Sequence, residues 1–218
     1  MTLISIGRTL IQTVAGSDLA NVVFDAAELA LDGDLPSGLL KDVPFFGALA
    51  NLARAHDSIR SHLFTKKVLQ FLLELKSVPE SERAILLEKY ADGTTKQAEL
   101  GENLLLALER LDNMQKPKVL AKFFSAYIRT EITFTTFSRL AQALERFNLE
   151  LYPALEYLYH PGMVAIEVTE DIKHELSLAG LLTVHLSGSG AIAGGALYML
   201  SPIGRHFLRI GFGMEETK

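Results

Sequence analysis

Apolar residues recur every three to four positions along most of this chain, and that period predicts helices rather than strands. Residues 2–14 read as a first short helix, and Gly16-Ser17-Asp18 breaks it and caps a second one, striped by Leu19, Val22, Val23, Ala26, Ala27 and Ala30. Asp32 to Gly38 is a loop. From Phe64 the stripes sharpen: Phe64, Val68, Phe71, Leu72 and Leu75 form one helix face. Ser77-Val78-Pro79-Glu80 reads as a capping box for a helix that holds Ile85, Leu86 and Tyr90, and Thr94-x-x-Gln97 caps a longer one through Leu100, Leu104, Leu105, Leu108 and Leu111. Lys116-Pro117 opens a helix with Val119, Leu120, Phe123, Phe124, Tyr127 and Ile128 inward. Phe134, Phe137, Leu140, Ala141 and Leu144 define the next, and Pro153 starts a short one that His160-Pro161-Gly162 ends. Helices of this length on short connectors predict a compact helical array.

The last third changes pattern. Val168, Ile172, Leu176 and Ala179 give a helix with one apolar face, and Gly180 falls at its C-cap. Leu181 to Leu186 favours a strand, Ser187 to Gly195 is glycine-rich, and Ala196 to Leu200 is a second β-like run. Ser201-Pro202 then opens a closing helix seated by Phe207, Leu208 and Ile210. Helix, strand, wing, strand, helix is the second half of a winged-helix domain. The predicted fold is mainly α: an N-terminal apolar helical region over 1–63, a helical bundle over 64–160, and a degenerate winged-helix-like unit with a β-hairpin over 161–218.

Charge narrows what that unit can do. A recognition helix sets basic and amide side chains against phosphates and base edges. This one carries Glu167, Glu170, Asp171 and Glu175 against Lys173 alone, and the wing has no charge, so duplex DNA is disfavoured as a partner. Gly188-x-Gly190-x-x-Ala193 imitates a dinucleotide fingerprint, but no second βα unit follows it, so a hairpin tip is the better reading. The whole chain has a net charge of −5, which argues against non-specific nucleic-acid binding. It has no cysteine, hence no disulfide framework or thiolate chemistry.

Apolar content is high, with mean hydropathy +0.22, yet no run of eighteen apolar residues marks a spanning helix. The surplus points to subunit interfaces or a membrane surface. The stretch best suited to that is Val43 to Lys67. Val43, Phe45, Phe46, Leu49 and Leu52 are the membrane or interface candidates, and Arg54, Arg60, Lys66 and Lys67 after them are candidates for a lipid headgroup or anionic ligand. A buried helix with a solvated basic end fits the same residues. Catalytic signatures are lacking: no G-x-S-x-G, H-E-x-x-H or kinase loop occurs. Glu170, Asp171 and His174 share one helical turn without the second glutamate–histidine pair of a di-iron bundle, so no metal and no cofactor are expected.

The run Tyr198-Met199-Leu200-Ser201-Pro202-Ile203-Gly204-Arg205 resembles the Y-x-L-T-P-L-G-R ending of bacterial winged-helix domains, with serine for threonine and isoleucine for leucine. It also resembles the C-terminus of the abortive-infection alpha family of bacterial phage-defence proteins. That resemblance implies a non-enzymatic bacterial stress or phage-defence effector, cytoplasmic or associated with the inner membrane. Joined to the apolar surplus, it implies a homo-oligomer that is membrane-active, with a signalling ligand or the product of a neighbouring gene as partner. The alternatives are a winged-helix DNA-binding regulator and a soluble helical scaffold for a protein partner.

Overall fold

The computed structural model describes residues 3–17, 19, 45, 59–89, 94–160, 168–186 and 196–215. The chain is mainly α, with a helical bundle and one small C-terminal hairpin. Its contacts divide it into two compact units, Met1–Glu131 and Ile132–Lys218, a division that falls within the stretch 64–160 read above as one bundle.

The first unit holds α1 (Leu3–Ala15), α2 (Ile59–Leu75), α3 (Glu80–Lys89), α4 (Thr94–Arg110) and α5 (Lys116–Ile128). The expected second helix over 19–30 lies outside the described residues, apart from the buried Leu19. Helix α5 is the core: eleven of its thirteen residues are buried, and only Lys118 and Lys122 reach solvent. A helix apolar nearly all round has to be wrapped by others, and α2 and α3 pack on it. Phe71 of α2 meets Phe124 at 5.8 Å between ring centroids, and Phe124 meets Tyr127 at 5.9 Å.

Helix α1 packs mainly on α4, and there two glycines decide the geometry. A Cβ added to Gly101 would sit 1.9 Å from the Gly7 carbonyl oxygen, and one added to Gly7 would sit 2.6 Å from the Ala98 oxygen. The two backbones therefore touch, and no side chain fits between them.

Helix α3 corrects one expectation. Ser77 does not cap it; the hydroxyl donates back to the Glu74 carbonyl at 2.8 Å, and the helix starts from the Pro79 carbonyl, which accepts from Glu82 and Arg83. Its inward residues are Arg83 and Leu86, whereas Ile85 is exposed. Helix α5 ends in a Schellman turn, with Glu131 N–H on Ala126 O at 2.9 Å and Thr130 N–H on Tyr127 O at 3.1 Å. Thr130 takes φ = 60° there, a conformation that costs a β-branched residue on the order of 1–2 kcal/mol.

The second unit holds α6 (Phe134–Arg146), a 3₁₀ turn (Leu149–Leu151), α7 (Tyr152–Tyr159), α8 (Glu170–Leu178), β1 (Leu182–Leu186), β2 (Ala196–Leu200) and α9 (Pro202–His206), which runs into a π turn (Phe207–Gly211). Thr133 caps α6 by accepting from Thr136 N–H at 3.1 Å. The strands pair antiparallel from Leu182↔Leu200 to Leu186↔Ala196. Phe137, Leu140, Leu144, Phe147, Leu176, Leu181, Ile203, Phe207 and Leu208 form the core, with Phe147 edge-on to Phe207 at 5.2 Å. Phe134 is exposed, and Ile210, expected to help seat the last helix on the core, is half-buried.

Replacing Gly101 with alanine should destabilise the protein by about 2 kcal/mol or more, because forced overpacking outweighs the ~1 kcal/mol of helix propensity gained. Urea denaturation followed by circular dichroism reads it.

Candidate functional site

Each unit carries one candidate region. In the first unit it is the stretch Val43 to Lys67, of which Val43, Phe46, Leu49, Leu52 and Arg54 lie outside the described residues. Phe45 is described and is 0 % exposed, so in this conformation it is core, not surface. Arg60 sits in the first turn of α2, and Lys66 further along it is half-buried. Near them His62 and Leu63 are exposed.

Lys67 has a task of its own. Its ammonium donates to the Glu109 carbonyl at 3.1 Å and to the Leu111 carbonyl, where α4 ends and its last carbonyls have no helical partner. The anionic-ligand candidate is thus a helix C-terminal clamp. Close by in sequence, Lys116 is 1 % exposed and pairs with Asp112 at 2.6 Å. Burial works to raise the Asp112 carboxyl. The hydrogen bond and charge of Lys116, with the backbone N–H groups of Asp112 and Asn113, outweigh it and hold the carboxyl below the usual carboxylate range.

The residue that periodicity missed is Arg83. It is buried, with Nε donating to the Val78 carbonyl at 3.0 Å and Nη1 to the carbonyls of Val14 and of Gly16, the latter at 2.8 Å. Burial lowers its pKa, and the Glu80 carboxylate opposes that. The signal lay in its spacing: Arg83 falls three residues before Leu86, on the buried side of α3.

In the second unit the candidate surface is α8 with the hairpin. Glu170, Asp171, His174 and Glu175 are exposed, and Lys173 is paired to Glu170 at 2.7 Å. Among the described residues no group of three or more His, Asp or Glu is placed to hold a metal ion. Every residue of β2 is apolar or aromatic, a pattern suited to a strand covered on both faces. Yet Leu197 and Met199, which share a face with Thr183 and His185, are 58 % and 46 % exposed.

The Tyr198–Arg205 run owes its composition to packing. Ser201 N–H donates to the Leu181 carbonyl at 2.9 Å, its hydroxyl donates to the Gly180 carbonyl at 2.7 Å, and the same oxygen accepts from Gly204 N–H at 2.9 Å. Pro202 takes the first turn of α9, where its missing N–H costs nothing. A Cβ on Gly204 would lie 2.2 Å from the Leu181 oxygen. Gly180, at φ = 79°, closes α8 in a Schellman turn, with Leu181 N–H on Leu176 O at 3.0 Å. Serine, proline and glycine are thus the residues that let α9 dock on the end of α8.

No helix among the described residues is long and apolar enough to cross a membrane. No family model, curated protein or solved structure matches the chain.

Ser201→Ala should cost about 2 kcal/mol, roughly half from the lost cap and half from the Gly180 carbonyl left without its donor, read as a lower urea midpoint. Asp112→Asn should cost about 1 kcal/mol at pH 7, after allowing for the screening of a side chain that is 72 % exposed. Because the folded carboxyl lies below its unfolded value, the ion pair contributes fully above about pH 4, and its contribution disappears as pH falls through the folded value. The gap between parent and Asp112→Asn should therefore close on acidification, as measured by urea midpoints from pH 7 to pH ~2.

Proposed function

We propose that this chain is a non-enzymatic effector of bacterial stress or phage defence that acts by contact, as a homo-oligomer at the inner membrane or beside it. Phe45 carries the reading. The apolar stretch that leads into Arg54, Arg60 and Lys66 has its one described member wholly inside, as a segment held back at rest would. Freeing Phe45 costs about 2–3 kcal/mol of lost burial. That lies within the ~1–3 kcal/mol that a bound ligand or partner typically contributes to a conformational equilibrium. The trigger is a signalling ligand or the product of a neighbouring gene. Released, the apolar residues would enter the headgroup boundary, with the basic ones at anionic lipid. The resemblance at Tyr198–Arg205 supports the defence label, and the burial of Phe45 supports the mechanism.

A second reading, a scaffold for a protein partner, is favoured by the exposed Leu197 and Met199. DNA reading by α8 is opposed by its exposed acids and by the engagement of Lys173 with Glu170.

Vesicle co-flotation and dye leakage test the proposal on the full chain. Phe45→Ala, which weakens the seat without adding charge, should bind phosphatidylglycerol vesicles more than the parent does. High salt or Arg60→Glu/Lys66→Glu should abolish the gain. If folded Phe45→Ala stays with the soluble fraction at every lipid composition, the membrane reading fails, and light scattering then decides whether an oligomer exists to support the scaffold reading.

A further inference from the structure

The way α1 is held goes beyond the proposed function while resting on its contact-driven reading. Helix α1 is amphipathic: Ile6, Leu10, Ile11 and Val14 are buried, and Ser5, Thr9, Gln12 and Thr13 lie on the other side. Two of its hydroxyls turn back on their own helix, Thr9 donating to the Ser5 carbonyl and Thr13 to the Thr9 carbonyl, each at 2.9 Å. Its polar side is uncharged apart from Arg8, and the Thr9 and Thr13 hydroxyls stay satisfied wherever the helix goes.

Two attachments fix α1. Its middle rests backbone-to-backbone at Gly7 and Gly101. Its end is gripped by Arg83, which donates to the Val14 and Gly16 carbonyls. These are orphan carbonyls at a helix C-terminus, where the macrodipole favours a cation. The docked state also carries costs. The guanidinium is buried against carbonyl oxygens, and Arg8 Nε is enclosed with no hydrogen-bond partner among the described residues. Undocking would return both cations to water, which offsets part of what the contact contributes.

We propose that the grip of Arg83 on the end of α1 is an autoinhibitory contact: it keeps the apolar face of α1 on the first unit, and its release lets that face insert into a lipid surface. Arg83 is a positioning residue and touches no lipid. Because the polar side of α1 has one charge, binding is driven by apolar burial and does not depend on anionic headgroups. The Val43–Lys67 stretch would behave oppositely, since its basic residues require them.

Hydrogen exchange with mass spectrometry on the full chain, parent against Arg83→Met, tests the latch. Amides of residues 3–15 should exchange about tenfold faster or more, as the loss of two charge-assisted hydrogen bonds requires, with α5 unchanged. The variant should co-float equally with phosphatidylcholine and phosphatidylglycerol vesicles, independently of salt. If Arg83→Met does not fold, Arg83→Lys, which keeps the charge and loses the fork, gives the same local readout. Unchanged exchange, uniform acceleration across Met1–Glu131, or local opening without flotation overturns the inference. Binding by Phe45→Ala restricted to anionic vesicles would leave the proposed function standing without it.

Discussion

A helix leaves its last carbonyls without partners, and how this chain satisfies them governs both its architecture and its chemistry. Arg83 serves the end of α1, Lys67 the end of α4, and Schellman turns at Thr130 and Gly180 serve α5 and α8. The Gly180 turn carries the chain from α8 into β1, and Ser201 joins the start of α9 to the same corner. Cations placed on carbonyl oxygens are no longer available to an anionic ligand. A count of lysines and arginines from sequence therefore overstates the basic surface of the folded protein.

That distinction separates what the sequence made legible from what it hid. Helix order, the paired strands and the Ser201-Pro202 start of α9 followed from periodicity and capping, because those signals are local. The inward positions of α5 were readable for the same reason. The buried cations were not, since a period-3.6 pattern says which face is inside but not that a guanidinium can be paired there by carbonyls from α1, nearly seventy residues upstream. The close approach of Gly7 and Gly101 was equally hidden, as nothing local ties residues so far apart. In α3 the apolar Ile85 is exposed while the charged Arg83 is inside, an inversion that residue type alone does not announce.

The candidate site was legible only in kind. Sequence marked Val43 to Lys67 as apolar then basic, and the structure separates its described members by role: Phe45 in the core, Lys67 on a helix end, Lys66 half-buried, His62 and Leu63 outside. The run Tyr198–Arg205 carries a resemblance, and the structure gives its residues a packing role. Its serine and glycine are tied into the α8–β1–α9 corner, and its proline suits the first turn of α9. A likeness in those positions therefore reports shared local packing, and it extends to function only through surfaces that packing leaves free.

Those free surfaces differ in kind between the units. The face of α8 is acidic and the hairpin face beside Thr183 and His185 is apolar, a combination that repels phosphate backbones and leaves protein contact open. In the first unit the apolar candidates that are described, Phe45 and the inner face of α1, are hidden rather than shown. A chain with surplus apolar surface has two ways to remain unaggregated: cover that surface with another molecule, or fold it away behind contacts that can be undone. The latch proposed for Arg83 would be the second way. A leucine there would hold α1 by burial alone, whereas a guanidinium binds the helix end through hydrogen bonds that water can replace, so the contact is firm in the docked state yet loses less on release.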